Sequence, residues 1–217
     1  MASQLIYGRQ PVAEARRGRR RVHRVWEAPE TTAEELERIC GSADHQGVVA
    51  EVDPFPYAAP GELLVASDAL VVALDQVQDP RNLGAVCRSA ESAGAAGVVI
   101  PERRSAEVSP AACKASAGAV EHIPVARVRN LADWLGEAKG AGFWIWGADA
   151  AAEGPPWEAD LRGPTVLVFG GEGKGIRPRV LAACDGLLAL PQRGRVGSLN
   201  VSAAATALLF EALRQRG

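Results

Sequence analysis

Between residues 70 and 190, short runs of aliphatic and β-branched residues alternate with stretches of helical character, and this alternation narrows the possible folds more than any other feature of the chain. The runs cover residues 70–74, 98–100, 123–128, 143–146, 166–169 and 187–190 and are apolar at nearly every position. A strand with water on one side alternates apolar and polar residues, so an unbroken apolar run predicts a strand covered on both faces. Between the runs lies a helical stretch over 83–93, stopped by Gly94, and another that opens with Ser109-Pro110, serine as cap and proline in the first helical position. The closing segment repeats apolar residues at Val201, Ala205, Leu208, Leu209, Ala212 and Leu213, the stripe of a helix that packs on a sheet. Strand and helix in alternation predict an α/β fold on a parallel sheet, here over residues 68–217.

Residues 1–57 read as a smaller α/β unit. Ile6-Tyr7-Gly8 is followed by a basic stretch, a strand over 22–27, a helix after Thr31-Thr32 with Glu34 and Glu35 in its first turn, and a strand over 47–53. Pro54, Pro56 and Pro60 then break the pattern and favour extended backbone, so a linker is expected over 58–67. Arg9, Arg16, Arg17, Arg19, Arg20, Arg21 and Arg24 crowd the first 24 residues against one acid, Glu14. Such a cluster is either a phosphate-binding surface or a solvated basic arm, and charge alone leaves both readings open.

Composition removes several classes. With 47% hydrophobic residues in 217, the chain can bury a packed core. A net charge of −2 argues against coating nucleic acid through bulk charge. Cys40, Cys87, Cys113 and Cys184 form no C-x-x-C pair and are expected to be inert core thiols in a reducing compartment. His23, His45 and His122 are too scattered for a metal site, and none is expected. Met1-Ala2-Ser3-Gln4 lacks the basic flank and apolar core of a secretory signal, and no apolar run is long enough for a membrane span, which predicts a cytoplasmic protein.

In a parallel sheet, ligands collect where strands end, so the residues directly after the apolar runs carry the functional information. Asn82, Gly84 and Arg88 follow the first run, in a polar loop that turns into a helix. Gly170-Gly171-Glu172-Gly173-Lys174-Gly175 follows the fifth, and its glycines leave backbone groups open to a ligand. After the last run come Pro191, Arg193, Arg195, Ser198, Leu199 and Asn200. The glycine loop is no phosphate-binding P-loop, because Val168 stands five residues before Gly173 and Gly175 follows the lysine. A dinucleotide fingerprint fails at Ile176. No G-x-S-x-G elbow supports Ser198 as an acyl nucleophile.

These three segments resemble the sequence motifs of the SpoU, or TrmH, branch of the SPOUT RNA methyltransferases: Asn82-x-Gly84-x-x-x-Arg88, Gly170-x-Glu172-Gly173-x-Gly175, and Leu190-Pro191 with Ser198-Leu199-Asn200-Val201-Ser202. The likeness runs over roughly residues 68–217, and Ile6-Tyr7-Gly8 with His45-Gln46-Gly47 resembles the ribosomal-protein-like substrate-binding domain of many members, in a shortened form. The resemblance implies a parallel sheet ending in a deep trefoil knot, an architecture that periodicity cannot show and that general topology rules disfavour. It implies a homodimer that binds S-adenosylmethionine through Gly147, Gly170, Gly171, Leu190, Leu199 and Asn200 and methylates a ribose 2′-hydroxyl of structured RNA, ribosomal RNA ahead of transfer RNA.

The implied catalytic residues are Arg88, Asn82, Glu172, Ser198 and Asn200, with Arg9, Arg17, Arg20, Lys174, Arg193 and Arg195 as RNA contacts. Family arginines at the position of Arg88 are described as a general base. A guanidinium holds its proton far above neutral pH, which favours phosphate grip and stabilisation of the developing alkoxide instead. Asn82 and Asn200 could equally cap the helices they open, and Arg88 could be a surface ion pair. The rival functions are a non-catalytic RNA-binding protein and a small-molecule enzyme with another nucleotide cofactor.

Overall fold

The computed structural model describes residues 3–217. Met1 and Ala2, which open the stretch lacking a secretory signal, lie outside the described residues. The N-terminal unit consists of β1 (Gln4–Tyr7), α1 (Arg9–Ala15), β2 (Val22–Glu27), α2 (Ala33–Cys40) and β3 (Val48–Val52). Its strands form an antiparallel sheet in the order β1-β3-β2. Thr32 caps α2 by accepting from the Glu35 amide, and Gly41 ends it at φ 69°, where a side chain would be strained.

The remainder alternates as its periodicity requires: β4 (Leu70–Asp75), α3 (Pro80–Ser92), β5 (Gly97–Pro101), α4 (Pro110–Ala115), β6 (Val125–Val128), α5 (Leu131–Gly140), β7 (Trp144–Ala148), β8 (Thr165–Gly170), α6 (Pro178–Leu181), β9 (Gly186–Leu188) and α7 (Val201–Arg216). The six strands pair in parallel in the order β6-β5-β4-β8-β7-β9. Two run shorter than their apolar segments. Pro124 has no amide to donate and Ile123 spends its own on Ala119, so β6 starts at Val125. The Ala189 amide turns to the Gly154 carbonyl, which takes the chain out of the sheet before Leu190.

Central strands are buried on both sides. Leu70, Val72, Leu74, Leu167 and Phe169 pack with α3, α4 and α7, while Val71, Ala73, Val166 and Val168 pack with α5 and α6. Gly84 sets how closely α3 approaches α4: a Cβ there would lie 2.5 Å from the Ala112 carbonyl oxygen and 2.9 Å from the Ser116 amide. Residues 58–67 do not run free. Ala58 pairs with the edge strand through its amide, 2.9 Å from the Val125 carbonyl, and Leu63 is buried beside Gly97.

The N-terminal unit is fastened to the segment after α4 by a buried ion pair, which corrects one expectation. Arg20, read as an RNA contact, is only 4% exposed. Its guanidinium pairs with both oxygens of buried Glu121, donates to Gln4 Oε1 at 2.6 Å and lies over the Phe55 ring. A sequence shows the charge of an arginine but not whether its donors are already spent inside the protein. Arg19 reinforces the junction by donating to the Ile123 carbonyl at 2.9 Å, and the Tyr57 hydroxyl accepts from the Val108 amide at 3.0 Å. The N-terminal pair β1 and β3 therefore continues one core with the larger sheet: Ile6, Val12 and Val52 belong to the same buried cluster as Val72, Val120 and Leu208.

Candidate active site

The strand order places β4 and β8 side by side, with Asp75 opposite Gly170 in register. The loops that leave them are therefore neighbours, at the point where the chain reverses its direction of travel across the sheet. Asp79 caps α3 by accepting from the Arg81 amide at 2.8 Å, and Pro80 fills the first turn. This frees Asn82 from capping. It is buried and donates through Nδ2 to Glu172 Oε1 at 2.5 Å.

Asn200 completes the cluster from the third loop. Its Oδ1 caps α7, accepting from the amide and hydroxyl of Ser202 at 2.8 and 2.6 Å. Its Nδ2 faces the other way, donating to Asn82 Oδ1 at 3.1 Å and towards Glu172 Oε1 at 3.4 Å. Asn200 is thus both cap and site residue. Three chain segments far apart in sequence meet on one carboxylate, and Glu172 keeps its outer edge exposed to solvent.

The cluster borders a cavity of about 510 Å³, within the roughly 300–1,000 Å³ usual for a small-molecule site. Gly170, Gly171, Leu190, Ser198, Leu199 and Asn200 line it, together with Asp149 and Gln192, which the sequence reading did not single out. Gly170 has to be glycine, because a Cβ would fall inside the backbone of Gly175 and Ile176 where the loop folds back. Gly173 and Gly175 adopt φ 76° and 63°, a conformation that side chains resist. Gly147 does not reach the cavity, which corrects its assignment as a wall: it is buried against Leu187, Cys184 and Ile176, and the next residues, Ala148 and Asp149, face the space.

Arg88 stands apart. It lies about 9 Å further along α3 than Asn82, at 1.5 Å rise per residue, and is exposed. Among the described residues it makes no ion pair or side-chain hydrogen bond, so the surface ion-pair alternative finds no partner. Its neighbour Ser89 bonds Thr206 of α7 at 2.6 Å, fixing that stretch of α3. Lys174, Arg193 and Arg195 are exposed around the loops. Arg9 is exposed but leans on Gln46, and Arg17 is exposed beside Glu14. Burial pushes the thiols of Cys87 and Cys113 up to about 12 and about 11, so neither offers a nucleophile at neutral pH.

The sequence profile of the SpoU rRNA Methylase family matches residues 69–210. The chain belongs to this family. All of it aligns with slr0955 of Synechocystis, named an uncharacterized tRNA/rRNA methyltransferase, at 38% identity, and it spans 64% of that protein's length. The 23S rRNA (guanosine-2′-O-)-methyltransferase RlmB of Pseudomonas syringae is 46% identical over 79% of this chain and 71% of its own. An AdoMet-bound rRNA methyltransferase from Sinorhizobium meliloti superposes with a TM-score of 0.86 at 27% identity, covering 98% of this chain and 87% of that one. The SpoU profile ends inside α7 and begins just before β4, so the N-terminal unit lies outside the family match while sharing its core. No group of His, Cys, Asp and Glu among the described residues of this SpoU family member is arranged to hold a metal ion.

Proposed function

We propose that this SpoU family member transfers a methyl group from S-adenosylmethionine to a ribose 2′-hydroxyl of structured RNA, ribosomal RNA ahead of transfer RNA. The observation that carries the reading is the convergence of Asn82, Glu172 and Asn200 at the rim of one cavity. The residues present fit the cofactor. The cavity combines apolar walls at Phe169, Leu190, Leu199 and Leu208 with open backbone at Gly170 and Gly171 and carboxylates at Asp149 and Glu172, which suit a cationic ligand. Bound there, S-adenosylmethionine supplies an electrophilic methyl group on a sulfonium.

The chain's own residues have to hold the ribose and exclude water, since aligning the two reactants is the larger part of such a barrier. Asn82 and Asn200, locked by their mutual bond, present fixed dipoles, and Glu172 anchors both. Leu190 and Leu199 keep the charge-dispersing reaction in apolar surroundings. Arg88, with no partner among the described residues, is available to grip an RNA phosphate beside the reacting sugar, the electrostatic role rather than that of a base. Ser198 lines the cavity as a further hydroxyl for the ribose. Arg9, Arg17, Lys174, Arg193 and Arg195 supply RNA contacts.

Several further readings belong to this proposal. β8 lies between β4 and β7 while β9 lies outside β7, a crossing order that supports a knotted C-terminal segment. Phe210 and Leu213, 45% and 40% exposed on α7, support a homodimer interface there. Among the described residues no helix is long and apolar enough to cross a membrane, and the cytoplasmic location is part of the proposal. Residues 1–57 act as the substrate-binding unit, 58–67 as the joint and 68–217 as the methyltransferase unit. Labelled S-adenosylmethionine incubated with ribosomal and transfer RNA, followed by mapping of 2′-O-methyl sites, tests the reading. Incorporation at one ribosomal ribose is expected; transfer RNA as sole acceptor would replace the substrate, and no transfer to either would sink the enzymatic assignment.

A further inference from the structure

We propose that Asp75 and Arg177 are a positioning pair that holds the glycine loop in its cofactor-binding shape; this rests on reading that loop as the S-adenosylmethionine site. Asp75 closes β4 and its side chain has no exposed surface. Its carboxylate accepts from the Arg177 amide at 2.8 Å through Oδ2 and from Arg177 Nε at 2.8 Å through Oδ1, and Arg177 Nη2 lies 2.6 Å from Oδ1 as an ion pair. The same residue's carbonyl accepts from the Gly171 amide at 2.9 Å. One residue therefore grips the loop at both ends, Gly171 where it leaves β8 and Arg177 where it enters α6.

Between those grips the loop is shaped by its own contacts. Gly175 donates to the Gly171 carbonyl at 3.1 Å, and Ile176, the neighbour of Arg177, lines the cavity. Gly171 is pressed on the strand that holds it, since a Cβ would meet the Gln76 carbonyl oxygen at 2.5 Å. The loop's own carboxylate, Glu172, has to reach Asn82, whose helix starts a few residues beyond Asp75. Asp75 is thus the common root of the cofactor loop and of the segment that carries Asn82.

Energetics argue against a pair kept only for stability. A carboxylate with no exposure carries a large desolvation cost, and its partner, 43% exposed, is held partly in water, where attraction is weaker. What the pair does supply is direction: the guanidinium on Oδ1 and the backbone amide on Oδ2 together fix the position and orientation of one residue. Neither side chain lines the cavity, so the effect on the cofactor passes through the loop backbone.

The test uses the full chain with Asp75→Asn, which keeps the side-chain shape, and with Arg177→Lys and Arg177→Met. Calorimetric titration of S-adenosylmethionine and S-adenosylhomocysteine is expected to show affinity falling roughly 10- to 100-fold for Asp75→Asn and Arg177→Met, the loss typical when an outer partner that orients a binding group is removed. Arg177→Lys should recover part of it. The double variant Asp75→Asn/Arg177→Met should bind no more weakly than the poorer single variant, because coupled partners are not additive. Amides 171–176 should exchange hydrogen faster in every variant, with or without ligand, while RNA affinity stays within about twofold.

Wild-type cofactor affinity and wild-type loop exchange in folded Arg177→Met would overturn the proposal, as would fully additive losses in the double variant. If Asp75→Asn does not fold, the half-exposed Arg177 variants decide alone. A wild type that binds S-adenosylmethionine yet methylates no RNA would defeat the proposed function and leave this pair standing. A wild type that binds no cofactor would overturn both the site reading and the pair's role towards it.

Discussion

Arg20 and Arg88 carry the same side chain in opposite settings, and the contrast separates the two places where this molecule holds its chain segments together. At the junction, Arg20 meets Glu121, Gln4 and an aromatic face, and its charge is consumed inside the protein. At the site, Asn82, Glu172 and Asn200 bond to one another around buried Asn82, and exposed Arg88 beyond them has no partner among the described residues. A saturated charge is a fastener. An unsaturated one on a fixed helix is a candidate contact for something that arrives from outside.

That contrast breaks first at Arg88. Arg88→Ala should lower the methylation rate by about 10²–10³-fold, the scale of losing one charge-stabilising donor, with the melting temperature unchanged within about 1 °C. A fall in melting temperature matching the loss of rate would make Arg88 a fastener too. Arg20→Met should do the reverse: unfolding free energy measured in urea should drop by about 3–5 kcal/mol, because Glu121 is left buried and unpaired. Arg20→Met/Glu121→Leu should regain most of that loss, and methylation per folded molecule should hold.

A smaller effect is expected at the helix contact that links the two regions. Gly84→Ala should cost about 1–3 kcal/mol by overpacking α3 on α4, and the shift of α3 should lower turnover more than cofactor affinity. Smallest is a chemical signature. Cys113, whose thiol burial pushes up to about 11 beside Arg20, should resist alkylation at pH 7.5 in the wild type and gain measurable labelling in Arg20→Met. Equal labelling in both proteins would show that the junction opens without the ion pair being broken.

The parallel sheet was legible because strands buried on both faces have no choice but continuous apolar sequence, and every run between residues 70 and 190 became a strand. The site was legible where chemistry needs a residue type: Gly170 for close backbone approach, Asn200 for a cap that also donates. Arg20 was not, since pairing with Glu121 depends on a fold that brings residue 20 to residue 121. Asp149 was hidden in a loop of small residues with no periodic signal. Gly147 was misjudged by one position, because a strand sends successive residues to opposite faces and its neighbour points into the cavity.

The buried cluster that runs from Ile6 through Val72 to Leu208 has a thermodynamic consequence. A change of composition near residue 58 divides the chain on paper, but there is no seam along which the two units could melt separately without baring one face of the large sheet. Heat or denaturant should meet one cooperative transition. Any ligand gripped by the glycine loop would then raise the unfolding free energy of the whole body, protecting the amides of β1 from exchange as well as those of β8.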